Sequence, residues 1–375
     1  MSNFRLPFDP LLLLATIGLC VCSVIAIQSS SVPGLASHQE LFIAIGFVIG
    51  AAVSRVDVLR LRELQYGLYA VLIIGLIAVL LFGAVTKGSR LAIPFGPIQL
   101  QFSEFGKILI ALSVGAMLVN RQRRIGEWST TMRAIAMFGG ALILIMGEPD
   151  LGSAIVYVVM FFLMLSLAGT PARHLQVLGG AVVLVVALTL VILPSAGVHP
   201  LKRYQTDRLT SFLHPAKAAA GAGYNQHQAV IAIGAGGRTG AGVATQAKYK
   251  YLPENQTDFI FSVFSQRFGF AGSALVLSLY ALLLWRVLRV LVEARSSYAA
   301  IVVSGLIGML AFQIFENVGM NLGIMPITGV TLPLMSYGGS SVIATLIALG
   351  LVHSVYAHGQ SARSPRVGLA AAQPL

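Results

Sequence analysis

Residues Lys250–Gly269 read KYLPENQTDFIFSVFSQRFG, a polar run holding Glu254, Thr257 and Asp258 that turns directly into the apolar Phe259-Ile260-Phe261. The change of character is that of a loop outside a membrane entering a helix that crosses it. Asp258 stands at the boundary, where a carboxylate is costly to desolvate, and an ionisable group so placed is a functional candidate by default. The competing reading makes Asp258 the cap of the following helix, a position that favours Asp.

Outward from this stretch the chain is dominated by apolar runs. Of its 375 residues 57% are hydrophobic and 10% charged, where soluble domains carry roughly 25% charged residues. Runs near the ~20 residues that cross a bilayer recur throughout. They predict an all-α polytopic membrane protein with ten spans, at about Leu11–Ile27, Leu41–Val53, Tyr66–Val85, Glu104–Leu118, Arg133–Gly147, Leu151–Ala168, Leu175–Leu193, Phe268–Val292, Tyr298–Leu322 and Ser340–Ala357. The second and fourth are short, which suggests tilt or polar extensions. One long loop, Pro194–Arg267, separates the seventh and eighth spans, and residues 1–375 form a single transmembrane domain. The first span lacks a small-residue cleavage site and is expected to be retained.

Charge sets the orientation. With the amino terminus inside, 14 Lys and Arg fall on inner segments and 11 outside, but eight of the 11 lie in the long loop. Long loops cross largely regardless of charge, so the comparison that counts is 14 to 3. Both termini are expected in the cytoplasm and the long loop outside. Orientation and anionic membrane lipid account for most of the net charge of +12. The basic residues form no single stripe, which excludes nucleic-acid binding. Cys20 and Cys22 sit two apart in one span and point to different sides of a helix, so neither a mutual disulfide nor a metal site is expected.

The outer face collects the remaining polar residues. At the start of the fourth span, Ser103 can cap the helix and Glu104 suits the positive end of its dipole. Lys107, three residues later, either pairs with Glu104 or holds another anion. The turn Gly147-Glu148-Pro149-Asp150 joins two helices as a hairpin, with Asp150 suited to cap the second. Topology thus brings Glu104, Lys107, Asp150 and Asp258 to one membrane face. In the long loop, Lys202, Arg203 and Arg208 are followed by Gly223-Tyr224 with Gln226 and Gln228, then by Ala229–Ile233, an apolar segment expected to dip into the interface. The glycines from Gly234 to Gly242 could bring backbone N–H groups to an anionic oxygen beside Arg238, or serve as a linker. On the ninth span Gln313, Glu316, Asn317 and Asn321 share one helical arc and read as interhelical hydrogen-bond partners. The apolar but proline- and glycine-bearing connection Gly323–Gly339 must be buried in protein or line a cavity.

Together these stretches resemble the SEDS family (shape, elongation, division and sporulation), over nearly the whole chain. The resemblance rests on Ser103-Glu104 with Lys107; Pro149-Asp150-Leu151-Gly152; Arg208 with Phe212 and Pro215; Gly223-Tyr224 with Gln228; Leu252-Pro253-Glu254; and Thr257–Phe261. It continues through Gln313, Asn317–Met320, Pro326–Gly329, Leu332-Pro333 and Ser336–Ser341. It implies a peptidoglycan glycosyltransferase of the bacterial inner membrane, polymerising lipid II with a class B penicillin-binding protein as transpeptidase partner. Within the family the compact chain is nearer the RodA (elongation) members than the FtsW (division) ones. It departs from the family pattern at Phe102, at Glu316, and at Gln266-Arg267, where two acidic residues are usual.

The chemistry such an enzyme needs matches the residues. Transfer of a sugar from a polyprenyl pyrophosphate to an acceptor hydroxyl calls for a base, for which Asp258 is the candidate, and for cations at the departing pyrophosphate. Arg203, Arg208, Arg238 and Lys107 are candidates for the second role, Lys107 alternatively orienting Asp150. Gln228, Glu254, Thr257, Gln313, Asn317 and Ser336 are expected to bind substrate or support the site. No cofactor is legible in the sequence; a divalent cation could share the work, but no two-metal carboxylate cluster stands out. A lipid-linked precursor flippase would instead need a charged path through the bilayer, and only Glu316 lies at depth. A non-catalytic scaffold for the penicillin-binding protein would tolerate loss of Asp258. The charge asymmetry predicts that a reporter fused after Ala222 reads extracytoplasmic and one after Gly126 cytoplasmic; the opposite pair of readings would overturn the outer site.

Overall fold

The computed structural model describes residues 8–28, 34–86, 89–95, 98–148, 150–195, 197, 222–242 and 254–361. Ten helices among them are long and apolar enough to cross a membrane. In chain order the elements are α1 (Pro10–Ile27), α2 (Leu35–Ser54), the short α3 (Val58–Leu61), α4 (Gln65–Phe82), strands β1 (Ala84–Thr86), β2 (Ser89–Phe95) and β3 (Ile98–Leu100), then α5 (Phe102–Asn120), α6 (Trp128–Gly147) and α7 (Leu151–Ala168). There follow α8 (Ala172–Ser195), α9 (Ala222–Ala235), α10 (Ile260–Glu293), α11 (Ser297–Asn321) and α12 (Gly339–Ser361). The helical fold is the expected one. The second and fourth spans are full-length helices of 20 and 19 residues once Leu35–Glu40 and the polar ends of α5 are included. The antiparallel meander β1-β2-β3 between α4 and α5 was not anticipated; its ten-odd residues interrupt two strong apolar runs and leave little alternating pattern of their own.

Local chemistry explains several boundaries. Asp9 caps α1 by accepting from the Leu11 and Leu12 N–H groups, with Pro10 at the first helical position, and its other carboxylate oxygen takes the Arg286 guanidinium of α10. Gly169, at φ 86°, ends α7 in a left-handed conformation that costs glycine nothing. Helices α5, α11 and α12 form the buried centre. Helix α12 packs closely on α2, where a methyl group at Gly350 would come within 2.4 Å of the Gly50 carbonyl oxygen; such small-residue crossings suit membranes, where close backbone approach replaces hydrophobic drive. Helix α8 runs along the outside with a π turn at Leu188–Ile192 and Val182–Val186 exposed.

The long loop ends earlier than expected, because Ile260–Arg267 is already helical. Helix α10 is broken at Gly269 (φ 63°, ψ −158°), which divides it into an outer segment and the span itself. The glycine turn after α9 fills the break. Gln266 and Arg267 carbonyls, freed by it, accept from Ala241 and Gly242 N–H groups, and the freed N–H groups of Phe270 and Ala271 donate to Gly237 and Arg238 carbonyls. The turn therefore does not offer the N–H groups of Ala241 and Gly242 to an anion: a broken helix needs those donors more strongly than a solvated ligand does. Gly240, at φ 87°, lies so close that an added methyl would stand 2.0 Å from the Arg267 oxygen. Gly240→Ala should lower thermal stability by roughly 2–4 kcal/mol, whereas Gly234→Ala, with nothing within 4 Å of the new methyl, should be neutral or stabilising; equal midpoints for the two variants would remove the turn from its role.

Candidate functional site

Glu254, at φ 56°, opens the turn that leads into α10, and its carbonyl accepts from the Thr257 and Phe259 N–H groups at 3.2 Å each. The Thr257 hydroxyl donates to the Glu254 carboxylate at 3.1 Å. The carbonyls of residues 256 to 258 are each held from another part of the chain. Gln256 O accepts from Tyr337 N at 2.8 Å, Thr257 O from Ser336 Oγ at 2.7 Å, and Asp258 O from Asn317 Nδ2 at 3.1 Å and Asn321 Nδ2 at 3.0 Å. Asp258 is thereby fixed by its backbone, half-buried, at the head of α10. It is not the helix cap: Phe259 takes that position.

The donors are themselves locked. Ser336 Oγ also accepts from Leu332 N at 2.8 Å, Asn317 Nδ2 also reaches Val330 O at 2.8 Å, and Asn321 Oδ1 accepts from Ser262 N at 3.1 Å. The connection between α11 and α12 is buried through Ile327, Val330, Leu332, Leu334 and Met335, as irregular backbone in a membrane protein must be. The polar arc on α11 is therefore the anchor of this loop and of Asp258. Glu316, buried on the same helix, accepts from the Thr328 hydroxyl at 2.8 Å. Gln313 is buried one turn below, its Oε1 without a partner among the described residues.

A second cluster lies beside the first. Lys107 and Glu104 form a buried pair at 2.6 Å, so Lys107 is committed to Glu104 and does not orient Asp150. The i,i+3 spacing brings the two together on one helix turn before any other partner is reached. Asp150 caps α7 through Ser153 N at 2.9 Å, as expected, and its other oxygen accepts from Gln101 Nε2 at 3.1 Å and Ser103 Oγ at 3.4 Å. Ser103 is not a cap, since Gln101 precedes the first residue of α5; its carbonyl accepts from the Tyr157 hydroxyl at 3.0 Å. Between the clusters, Gly152 lies against the Thr328–Val330 backbone, where a methyl would stand 3.0 Å from Thr328 O. Since Val330 O is bound by Asn317, the cap of α7 and the anchor of Asp258 share one stretch of chain.

Of the other expected residues, Gln228 is half-buried on α9 and Arg238 is exposed in the glycine turn; Arg203 and Arg208, with Pro149, Leu252 and Pro253, lie outside the described residues. Sequence reasoning underrated Gln226, whose Nε2 ties α9 to Met320 O and Met325 O at 3.2 and 2.7 Å; one glutamine among several on that helix carries no signal. It also passed over Glu148, which is fully buried, and whose carboxyl is pushed up to about 8, first by burial and then by the neighbouring Asp150. Burial likewise raises the Tyr337 phenol. Among the described residues no group of three or more His, Cys, Asp or Glu could hold a metal ion.

The sequence model of the cell cycle proteins FtsW, RodA and SpoVE matches residues 5–361. Peptidoglycan glycosyltransferase MrdB of Escherichia coli (strain K12) is 34% identical over 358 residues, spanning 94% of this chain and 95% of its own. Thermus thermophilus rod shape determining protein RodA superposes with a TM-score of 0.67 at 27% identity, over 93% of this chain and 96% of its own. A chain from a peptidoglycan synthase complex, described for its structural coordination of polymerization and crosslinking, reaches a TM-score of 0.80 at 30% identity over 95% and 99%. The buried Glu104–Lys107 pair predicts strong coupling: Glu104→Gln and Lys107→Met should each cost about 3–5 kcal/mol, and the double variant clearly less than their sum in a thermal-stability measurement. Additive losses would mean that the two groups act apart.

Proposed function

Because the chain belongs to the cell cycle protein family of FtsW, RodA and SpoVE and is a peptidoglycan glycosyltransferase, we propose that it polymerises lipid II at the outer face of the bacterial inner membrane with Asp258 as general base. The observation that carries the base is the clamping of carbonyls 256, 257 and 258 by Tyr337, Ser336, Asn317 and Asn321. Four donors from two other elements fix one short turn, and the one ionisable side chain delivered at the end of it is that of Asp258. Held so, the carboxylate accepts the proton of the acceptor sugar's 4-hydroxyl as that oxygen bonds to the donor's anomeric carbon. The bond from that carbon to the pyrophosphate breaks, and the pyrophosphate leaves with the electron pair. A positioned base of this kind contributes about 10²–10⁴-fold.

The departing charge needs cations. Arg203, Arg208 and Arg238 remain the partners of choice, Arg238 exposed on the turn that fills the α10 break. Lys107, spent on Glu104, acts from behind with Asp150, keeping the α5 and α7 ends in register; Glu254, Thr257, Gln228, Gln313, Asn317 and Ser336 support the site. The elongation role, a class B penicillin-binding protein as partner and cytoplasmic termini complete the reading, supported by the similarity to RodA and to a synthase complex chain and by the 14-to-3 charge asymmetry. Asp258→Asn keeps the backbone clamp and the side chain's size. The purified variant should fold normally and make no glycan from lipid II; near-normal polymerisation would remove Asp258 from the chemistry.

A further inference from the structure

We propose that Glu148 is a positioning residue of the outer site that works as a neutral carboxylic acid, keeping the α6–α7 hairpin closed on Asp150 while it holds its proton and disrupting that arrangement, and polymerisation with it, when it ionises. The proposal rests on the polymerase reading for its activity readout and on three features of the structure for its substance.

The first is enclosure. Glu148 is fully buried, and neither carboxyl oxygen has a hydrogen-bond partner among the described residues. An anion without partners in such a place is far more costly than a neutral acid, which leaves only a hydroxyl and a carbonyl to desolvate.

The second is the end of α6. The Glu148 N–H accounts for Leu144 O and Ile145 O at 3.2 and 3.0 Å, which makes this residue the C-terminal cap, at the negative end of the helix dipole, where a second negative charge is repelled.

The third is the neighbourhood. Asp150, two residues on, has both oxygens hydrogen-bonded, by Ser153 N, Gln101 Nε2 and Ser103 Oγ. Glu148 has no such donors among the described residues, and burial first, then the neighbouring Asp150, lifts its carboxyl to about 8. Around them, α5 contributes Glu104, balanced by Lys107 at 2.6 Å, and α7 contributes Tyr157, whose hydroxyl donates to Ser103 O. The outer half of α4, against which Gly147 packs through Leu80, carries no titratable side chain. No basic side chain among the described residues hydrogen-bonds or ion-pairs with Glu148.

Ionisation therefore sets two carboxylates against each other across one short turn. Asp150 is the group that turn positions, and through Gly152 and Thr328–Val330 it bears on the Asn317 contact that holds Asp258. The expected loss is in turnover rather than in substrate affinity.

The test compares wild type with Glu148→Gln, which is permanently neutral, and with Glu148→Met, neutral and of similar length. Glycan synthesis from purified lipid II is measured from about pH 6 to 10. Wild-type kcat should fall about tenfold for each pH unit above about 8, with KM little changed, and the neutral variants should keep their pH 7 rate into that range. Matching pH profiles in wild type and variants would overturn the proposal. Thermal midpoints give an activity-free readout. A carboxyl whose folded-state value lies above its ordinary 4.5 loses stability as pH rises from there to about 8 and no further above it. Wild type should therefore fall relative to Glu148→Gln across that window; parallel midpoints would contradict the assignment. Failure of both neutral variants to fold would also contradict it, because a site built for an uncharged acid accepts an uncharged side chain of its size. If wild type makes no glycan at any pH, the polymerase reading fails, and the midpoints still decide on Glu148.

Discussion

Three consecutive backbone carbonyls, those of Gln256, Thr257 and Asp258, accept hydrogen bonds from side chains and backbone that lie 59 or more residues away in sequence. A turn at a membrane surface has no ladder of its own to satisfy these groups, and leaving them unmet inside protein would cost about 1–3 kcal/mol each. The chain meets the demand from α11 and from the buried connection that follows it. Because Asn317 and Asn321 donate to the same Asp258 oxygen, the head of α10 cannot shift without disturbing α11. The position of Asp258 is thus a consequence of backbone satisfaction, and any chemistry of its carboxylate inherits that rigidity.

The broken helix follows the same logic in reverse. Gly269 interrupts α10 and exposes two carbonyls and two N–H groups; the turn after α9 supplies the complement to all four. Besides the clamped carbonyls of residues 256–258, the described part of the long loop is tied to the bundle by Gln226 onto Met320 and Met325 and by the glycine turn onto α10. The outer segment of α10, Ile260–Phe268, is caught between these contacts and Asn321, which bonds Ser262. The described polar stretches of the loop are thus held against this end of the bundle.

Much of this was readable in advance where a periodicity or a spacing carried it. Apolar runs set out the ten spans, the helical arc of Gln313, Glu316, Asn317 and Asn321 pointed to hydrogen bonding between elements, and the apolar Gly323–Gly339 connection had to be buried. Other features depend on what lies opposite. Whether Lys107 turns to Glu104 or Asp150 is decided by which carboxylate comes within reach. The donors of the glycine turn were open to a ligand until the break at Gly269 claimed them, and that break leaves no mark in a sequence still helical on both sides. Glu148 looked like part of a turn; its full burial depends on what packs around the end of α6, which the sequence does not spell out. Ser103 seemed a cap, but α5 starts one residue sooner and the hydroxyl meets Asp150.

On the proposed mechanism, Asp258 is effective because the carbonyl clamp holds it in place. The most direct measurement is steady-state glycan synthesis from lipid II by purified Asn317→Ala and Asn321→Ala proteins, alongside their thermal midpoints. Loosening a reacting group by about an ångström costs on the order of 10²-fold. Each variant should remain folded and bind lipid II with little change in KM while kcat falls by about that factor; wild-type kcat in folded protein lacking these donors would contradict the account.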